Sequence, residues 1–344
     1  MWLFLAANLI GLAGLIVELL NLREFPLVRD APAPEPVDVI VAMRDEAERA
    51  AACVRAALDA PNVARVVVLN DGSTDATLEA LAAVRDPRLH VLDRDCGGKR
   101  AALAYAVANG GAASAWLLFV DADVRLTPAA PGALVAHARA RGADAVTVWP
   151  RVLAPSVWSS LLAPYLTFFL LQALPMRAAR GTDPRFAAGN GACFLVRRDA
   201  YDLCGGHAAL DAVVEDVALA RALKRNGARV ALGSGAELAT IDGYESFAQN
   251  VRGYGRSLYF GAGVPGCAAF ALWQALLAIA PLPLYAGRAV AAARMRESWW
   301  PVVLAPLASA LAALGALLAA LEGATGRIVW RGRTLRPGES PPAS

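Results

Sequence analysis

Trp116-Leu117-Leu118-Phe119-Val120-Asp121-Ala122-Asp123 reads as a buried β-strand that delivers two carboxylates at its end. Five apolar residues in a row suit a strand covered on both faces. Side-chain alternation predicts that two acids separated by one residue point the same way. Crowded carboxylates repel unless a cation lies between them, and Mg²⁺ or Mn²⁺ takes one or two carboxylates together with phosphate oxygens. A solvated Asp-x-Asp turn is the simple alternative. The apolar strand ahead of the acids favours a divalent metal held by Asp121 and Asp123.

Around this stretch, from about residue 36 to 242, short β-rich runs alternate with Ala-rich helical ones, the pattern of a mostly parallel sheet covered by helices. Strands are expected at 37–43, 65–70, 89–92, 116–120, 145–149 and 193–197, and helices over 46–59, 75–84, 98–110, 129–141 and 215–226. Residues 31–36 read as a Pro-rich linker ahead of this region. Ligands of open sheets bind beyond the carboxyl ends of the strands. The first strand is followed there by Arg44-Asp45-Glu46, the second by Asn70-Asp71-Gly72-Ser73-Thr74-Asp75 and the fourth by Asp121-Ala122-Asp123, so three acidic turns should converge on one edge.

Gly72 permits a tight turn, and Ser73, Thr74 or Asp75 can cap the helix behind it. Capping leaves Asp71 unexplained; its carboxylate could accept a hydrogen bond from a base N–H or a ribose hydroxyl. Cys96-Gly97-Gly98-Lys99-Arg100 opens the next helix with flexible backbone, a helix N-terminus and a point charge, all suited to phosphate. The spacing is not that of a Walker A loop. Lys99 and Lys224 are the only lysines among 33 basic residues, which singles out each of them. Glu215-Asp216 stands at a helix start, where acids also serve as dipole-favoured caps. In a sugar transfer an acid must also take the proton of the acceptor hydroxyl.

Taken in order, Ile40-Val-Ala-Met-Arg-Asp-Glu46, the Asn70–Asp75 turn, Gly98-Lys99 with Ala101, Ala102 and Leu103, Asp121-Ala-Asp123, Gly189-Asn-Gly-Ala-Cys-Phe-Leu-Val-Arg197 and Glu215-Asp216 resemble the family-2 glycosyltransferases of GT-A fold. The resemblance covers about 37–256. It implies an α/β, Rossmann-like mixed sheet with transmembrane helices attached. It further implies an inverting hexosyltransferase acting on a nucleotide sugar, by family expectation a UDP-sugar, with Mn²⁺ or Mg²⁺. Asp71 and Glu46 would then help hold the nucleoside, Lys99 would lie near the nucleotide, and Asp121 and Asp123 would serve the metal and diphosphate. Asp216 would be the base, with Glu215 its close competitor. Arg44, Gly98 and Gly189 complete the substrate-binding set. Two departures stand out. Asn70 replaces a common Asp, and Gln249-Asn-Val-Arg252-Gly253 is similar to the Gln-x-x-Arg-Trp motif of polysaccharide synthases but with glycine for tryptophan. Arg252 could still reach the diphosphate, whereas polymer synthesis is less supported. Gly326-Arg-Ile-Val-Trp-Arg-Gly-Arg333 is similar to the tail of membrane members associated with carotenoid or hopanoid lipids; a juxtamembrane basic anchor is its plain alternative.

The chain is 57% hydrophobic, more than soluble domains usually carry. About 20 apolar residues in a helix span the hydrocarbon core. Residues 1–22 read as an uncleaved N-terminal transmembrane anchor, 262–287 as a transmembrane or re-entrant segment, 298–321 as a transmembrane helix and 322–344 as a cytoplasmic tail. Residues 152–176 are also uncharged, but a crossing there would separate Asp121 and Asp123 from Asp216. Interrupted by Pro155, Pro164 and Pro175, they read instead as interfacial or re-entrant, inside a cytoplasmic catalytic domain over 36–256. Arg23, Arg29, Arg327, Arg331, Arg333 and Arg336 favour that cytoplasmic orientation in a multi-pass cell-membrane protein; Arg288, Arg294 and Arg296 disagree with it. A net charge of +3 without a basic run excludes a nucleic-acid footprint. The five cysteines lack a C-x-x-C pair and read as reduced and mostly buried. The expected partners are a nucleotide sugar, a lipid acceptor and the membrane. The alternatives are a non-catalytic membrane scaffold and a dinucleotide-binding oxidoreductase, the latter without its G-x-G-x-x-G turn.

Overall fold

The computed structural model describes residues 1–211, 214–325, 328–330 and 333–335. It divides into two units: residues 24–151 with 176–241, and residues 1–23 with 152–175 and the described residues from 242 onward.

The strands in chain order are β1 (Val37–Met43), β2 (Val63–Asn70), β3 (Leu89–Asp93), β4 (Trp116–Val120), β5 (Val124–Leu126), β6 (Ala145–Trp149), β7 (Arg151–Leu153), β8 (Cys193–Arg197), β9 (Val230–Ser234) and β10 (Ala239–Asp242). Seven of them form one sheet in the order β3-β2-β1-β4-β8-β6-β9. β1 runs parallel to β2 and β4, β2 to β3, and β6 to β9, while β8 is antiparallel to both its neighbours. Period-two alternation splits the apolar residues of each central strand between two cores. Val39, Val41, Val66, Val68, Leu118 and Val120 lie on one face with Cys53, Val54 and Ala57 of the helix Ala50–Leu58 and Leu134 and Ala138 of Ala130–Arg141. Ile40, Val67, Leu69, Leu117 and Phe119 lie on the other with Ala102, Leu103 and Ala106 of Lys99–Asn109 and Leu219, Ala220 and Leu223 of Glu215–Arg225. Burial on both faces explains why these strands read as unbroken apolar runs.

Residues 26–28, ahead of the Pro-rich 31–36 stretch, are tied to the sheet. Val28 N–H donates to Ser234 O at 2.9 Å and Ser234 N–H to Pro26 O at 2.8 Å, so the segment extends the sheet beyond β9. Within 31–36, Asn62 Nδ2 donates to Glu35 O at 3.3 Å.

The other unit is helical. Trp2–Asn21 and Ala305–Ala324 are each long and apolar enough to cross a membrane. Ala262–Ala278 and Pro281–Met295 form an apolar pair bent by 111°, a broken span or a re-entrant loop. The bend sits at a break before Pro281, as the prolines of the sequence suggest. Val157–Leu162 and Pro164–Ala173 are shorter apolar helices within 152–175. Buried polar groups join these helices: Gln172 Nε2 donates to Glu18 Oε2 at 3.1 Å, and Trp273 Nε1 donates to Gln172 Oε1 at 2.9 Å. Arg288 is buried and paired with Glu297 at 3.0 Å, so it is an internal ion pair rather than a loop charge that reports orientation. The last described backbone is a hairpin pairing Ile328–Trp330 with Arg333–Leu335; Gly326, Arg327, Arg331, Gly332 and Arg336 lie outside the described residues.

Candidate active site

The turns after β1 and β2 are laced together at the carboxyl edge of the sheet. Asp45, in the left-handed region at φ 55°, takes the Thr74 N–H on Oδ1 at 2.7 Å and gives its own N–H to Ser73 Oγ at 2.9 Å. Asp is one of the residues that tolerate this conformation, because its short side chain bonds locally. Glu46 N–H donates to Thr77 Oγ1 at 2.8 Å and Ala47 N–H to Asp75 Oδ2 at 3.0 Å. Ser73 and Thr74 therefore brace the first turn instead of capping a helix. Asp75 does part of the capping, accepting the Thr77 N–H at 3.0 Å ahead of the helix Thr77–Ala82.

Asp71 is 1% exposed. Its Oδ1 accepts the Cys96 and Gly97 amides at 2.6 and 3.0 Å, fixing the glycine loop, while Oδ2 is buried without a partner. An orphaned carboxylate oxygen costs on the order of 1–3 kcal/mol or more, and a ligand N–H or O–H would satisfy it. Asn70 turns the other way, donating to Asp93 Oδ1 at 2.7 Å and accepting from Ser73 Oγ at 2.5 Å. Arg44 lies 3.9 Å from Asp95, half exposed at the same rim.

The acids after β4 reach the site by a route that alternation does not describe. β4 stops at Val120, and Val124 N–H donates to Asp121 O at 3.1 Å, so Asp121–Asp123 is a turn before β5. They converge nonetheless. Burial first, then the charges of Asp121 and Glu46, push the Asp123 carboxyl up to about 7. Burial and the same acids, Asp123 first, push the Cys53 thiol beneath them up to about 12. Arg49 lies 3.3 Å from Glu46, yet burial and the crowding of acids still dominate at Asp123, which fits a divalent cation. Among the described residues no three His, Cys, Asp or Glu side chains form a ready ligand set, so such an ion would need oxygens from a bound phosphate as well.

Gly98 precedes the helix Lys99–Asn109, and Lys99 is its first residue. The ammonium, expected near phosphate, bridges two acids: it lies 2.6 Å from Asp121 Oδ1 and 2.5 Å from Glu215 Oε1. Burial opposes its charge, but Asp121 and Glu215 outweigh that and hold the amine above its ordinary range. Asp216, next along, accepts the Gly191 amide on Oδ2 and the Val217 amide on Oδ1, each at 2.7 Å. Burial first and the Glu215 charge second push its carboxyl up to about 6. The Gly189-Asn190-Gly191 turn ahead of β8 packs directly on this helix start. A Cβ on Gly189 would sit 2.5 Å from the backbone Asp216 O, so that position requires glycine, whereas one on Gly191 would sit 2.9 Å from Lys99 Nζ and would displace only that flexible side-chain tip.

The structure thus brings Glu46, Asp71, Lys99, Asp121, Asp123, Gly189, Glu215 and Asp216 to one edge of one unit. Arg252 belongs to the helix Phe247–Ala278 of the other unit. A Cβ on Gly253 would meet the Tyr244 ring at 2.3 Å, so Tyr244 covers the position where the related motif carries tryptophan. Sequence reasoning quoted Asp45 and Gly191 within their motifs and singled out Lys224 for its rarity, but assigned none of the three a role. Lys224 is 2% exposed and donates to the carbonyls of Ala179 and Phe186, strapping the segment before Gly189 onto the helix that carries Asp216.

Parallel strands that end in acidic turns, an inserted antiparallel strand and an acid pair on the following helix define the GT-A class of sugar transferase fold. The chain belongs to the family described as "Glycosyltransferase like family 2", whose profile matches residues 34–259, and it is a glycosyltransferase. It is similar in fold to the mannosyltransferase PcManGT from Pyrobaculum calidifontis, solved with GDP-Man and Mn²⁺, at 18% identity over 93% of this chain and 98% of that one, with a TM-score of 0.57. TarS residues 1–349 from S. aureus match at 15% identity over 83% of this chain and 90% of that one, with a TM-score of 0.45. The same protein with UDP-GlcNAc matches at 13% identity over 89% and 98%, with a TM-score of 0.44. No curated protein sequence matches the chain. Family membership sets aside the oxidoreductase alternative.

Proposed function

We propose that this chain is a membrane-anchored inverting glycosyltransferase that moves a sugar from a nucleoside diphosphate, in the first instance UDP, to a membrane lipid or polyisoprenoid acceptor. One observation carries the reading: Lys99 joins Asp121 to Glu215, so the acids after β4 and the acid pair of a helix far along the chain share a single site. In this reading Asp71, through its unpartnered Oδ2, accepts a hydrogen bond from the nucleoside, with Glu46 and Arg44 at the same rim. Asp121 and Asp123 hold Mn²⁺ or Mg²⁺, consistent with the Mn²⁺ of the Pyrobaculum mannosyltransferase. The metal supplies Lewis-acid neutralisation of the departing diphosphate.

Asp216 takes the proton of the acceptor hydroxyl. Its two amide donors orient the carboxylate, and its raised pKa gives it more basicity than a free Asp. Glu215 is held by Lys99 and is less free for this task. In this reading the helical unit anchors the enzyme, with Trp2–Asn21 and Ala305–Ala324 crossing the membrane, residues 152–176 at its surface and the catalytic unit in the cytoplasm, the side that the basic flanks Arg23 and Arg29 favour. Transfer of a single sugar is favoured over polymer synthesis, because Tyr244 closes the place over Gly253.

The test is a panel of UDP- and GDP-sugars incubated with the full chain, Mn²⁺ or Mg²⁺, and membrane lipid extract, read by mass spectrometry of the lipids. A single hexose added to a lipid only with metal, and lost in Asp216→Asn, is the expected result. Metal-independent transfer, or an equally active Asp216→Asn enzyme on a hydroxyl acceptor, would overturn it.

A further inference from the structure

The Lys99 ammonium occupies a position with two demands on it. Asp121 Oδ1 at 2.6 Å belongs to the acidic turn, and Glu215 Oε1 at 2.5 Å belongs to the residue beside Asp216. Both carboxylates are at most partly exposed, at 30% and 15% of the side chain, so the contacts are only weakly screened. Glu46, Asp121, Asp123, Glu215 and Asp216 crowd the same edge. A divalent cation arriving at Asp121 and Asp123 must compete with the lysine for Asp121. Ammonium and metal ion cannot both sit closely on one carboxylate oxygen without repulsion between them.

We propose, building on the metal-binding reading above, that Lys99 is a tethered counter-ion: it locks Asp121 to Glu215 in the donor-free enzyme and yields Asp121 when a divalent cation binds. Lys99 is thereby a positioning residue that couples metal loading to the freedom of the Glu215-Asp216 pair. A lysine suits the task because its flexible stem and point charge let it swing between carboxylates and a diphosphate, which a rigid guanidinium fork would do less readily. The glycine at 191 belongs to the same device, since a side chain there would push the ammonium away.

The experiment measures Mn²⁺ affinity of the full chain in detergent, without nucleotide, from the free-Mn²⁺ signal in electron paramagnetic resonance. Lys99→Met should bind Mn²⁺ about tenfold or more tightly than wild type. Gly191→Ala, which displaces a flexible side-chain tip rather than backbone, should shift affinity in the same direction by less and keeps the test valid if Lys99→Met folds poorly. Glu215→Gln should weaken Mn²⁺ binding when Lys99 is present, because the lysine then rests on Asp121 alone; in the Lys99→Met background it should lose that effect. Unchanged affinity in both Lys99→Met and Gly191→Ala, with binding lost in Asp121→Asn and Asp123→Asn, overturns the counter-ion role and leaves the metal site standing. If Asp121→Asn and Asp123→Asn bind as wild type does, the metal site fails and the proposal falls with it.

Discussion

Asp216 Oδ2 accepts the backbone N–H of Gly191 at 2.7 Å, so the carboxylate assigned as base is oriented by the turn before β8 rather than by its own helix alone. Its pKa is raised to about 6, burial first and Glu215 second. The base form is the deprotonated one. Transfer to a hydroxyl acceptor should therefore rise with pH, about tenfold per unit below pH 6, and level off above it. Asp216→Asn should lower kcat on the order of 10²–10⁴-fold. Glu215→Gln removes a charge that raises the pKa, so its pH–rate limb should move to lower pH; a limb that stays in place would remove Asp216 as its source.

The charge of Asp123 works against the metal-free fold. Its folded pKa, about 7, lies above the ordinary aspartate value of 3.8, burial being the first cause, so the native state binds the proton more tightly than the unfolded chain. This contribution favours the fold fully below pH 3.8 and is lost as pH rises through 7. Asp123→Asn should consequently raise the metal-free Tm at pH 8 and give little gain at pH 4. For a folding unit of about 150–250 residues each kcal/mol corresponds to roughly 2–4 °C. Thermal melts in chelator at the two pH values measure it, and added Mn²⁺ should stabilise wild type more than the variant.

Asp71→Asn keeps an oxygen for the Cys96 and Gly97 amides and replaces the unpartnered oxygen by a donor. A nucleoside N–H or hydroxyl would then meet a donor instead of an acceptor. Calorimetric titration with UDP and GDP should show binding of the true nucleotide weakened roughly 10–100-fold, from a loss of about 1.5–3 kcal/mol for a charged hydrogen bond. The melting temperature should change little.

Lys224→Met removes the donor to Ala179 and Phe186 and leaves two carbonyls without it. The expected cost is about 1–3 kcal/mol, read as a lower Tm. Limited proteolysis should cut faster within 176–188, with kcat falling as the turn under Asp216 loosens.

The catalytic sheet was largely legible because its strands are buried on both faces. β1, β4, β6 and β8 fall at the expected residues, each a short, mostly apolar run buried on both faces. β9 and β10 were missed. Val230–Ser234 ends in Gly-Ser and Ala239–Asp242 is short and half-buried, so neither carries a pattern distinct from a loop. Residues 152–176 show the opposite case: apolar length alone reads as a span, and the structure divides them into helices of six and ten residues.

For Asp121, Asp123 and Asp216, residue chemistry and position in the chain were enough to nominate acids at the ends of apolar elements, because backbone hydrogen bonding forces those ends to the edge of a sheet. Which acid meets which cation was decided only by tertiary structure. β8 runs antiparallel between β4 and β6 and carries the Gly189–Gly191 turn onto the helix start of Asp216, and there Lys99 finds Asp121 and Glu215 together. Sequence patterning reports the burial of each segment separately. A salt bridge depends on the positions of three segments at once, which are set only when the whole sheet closes its two cores.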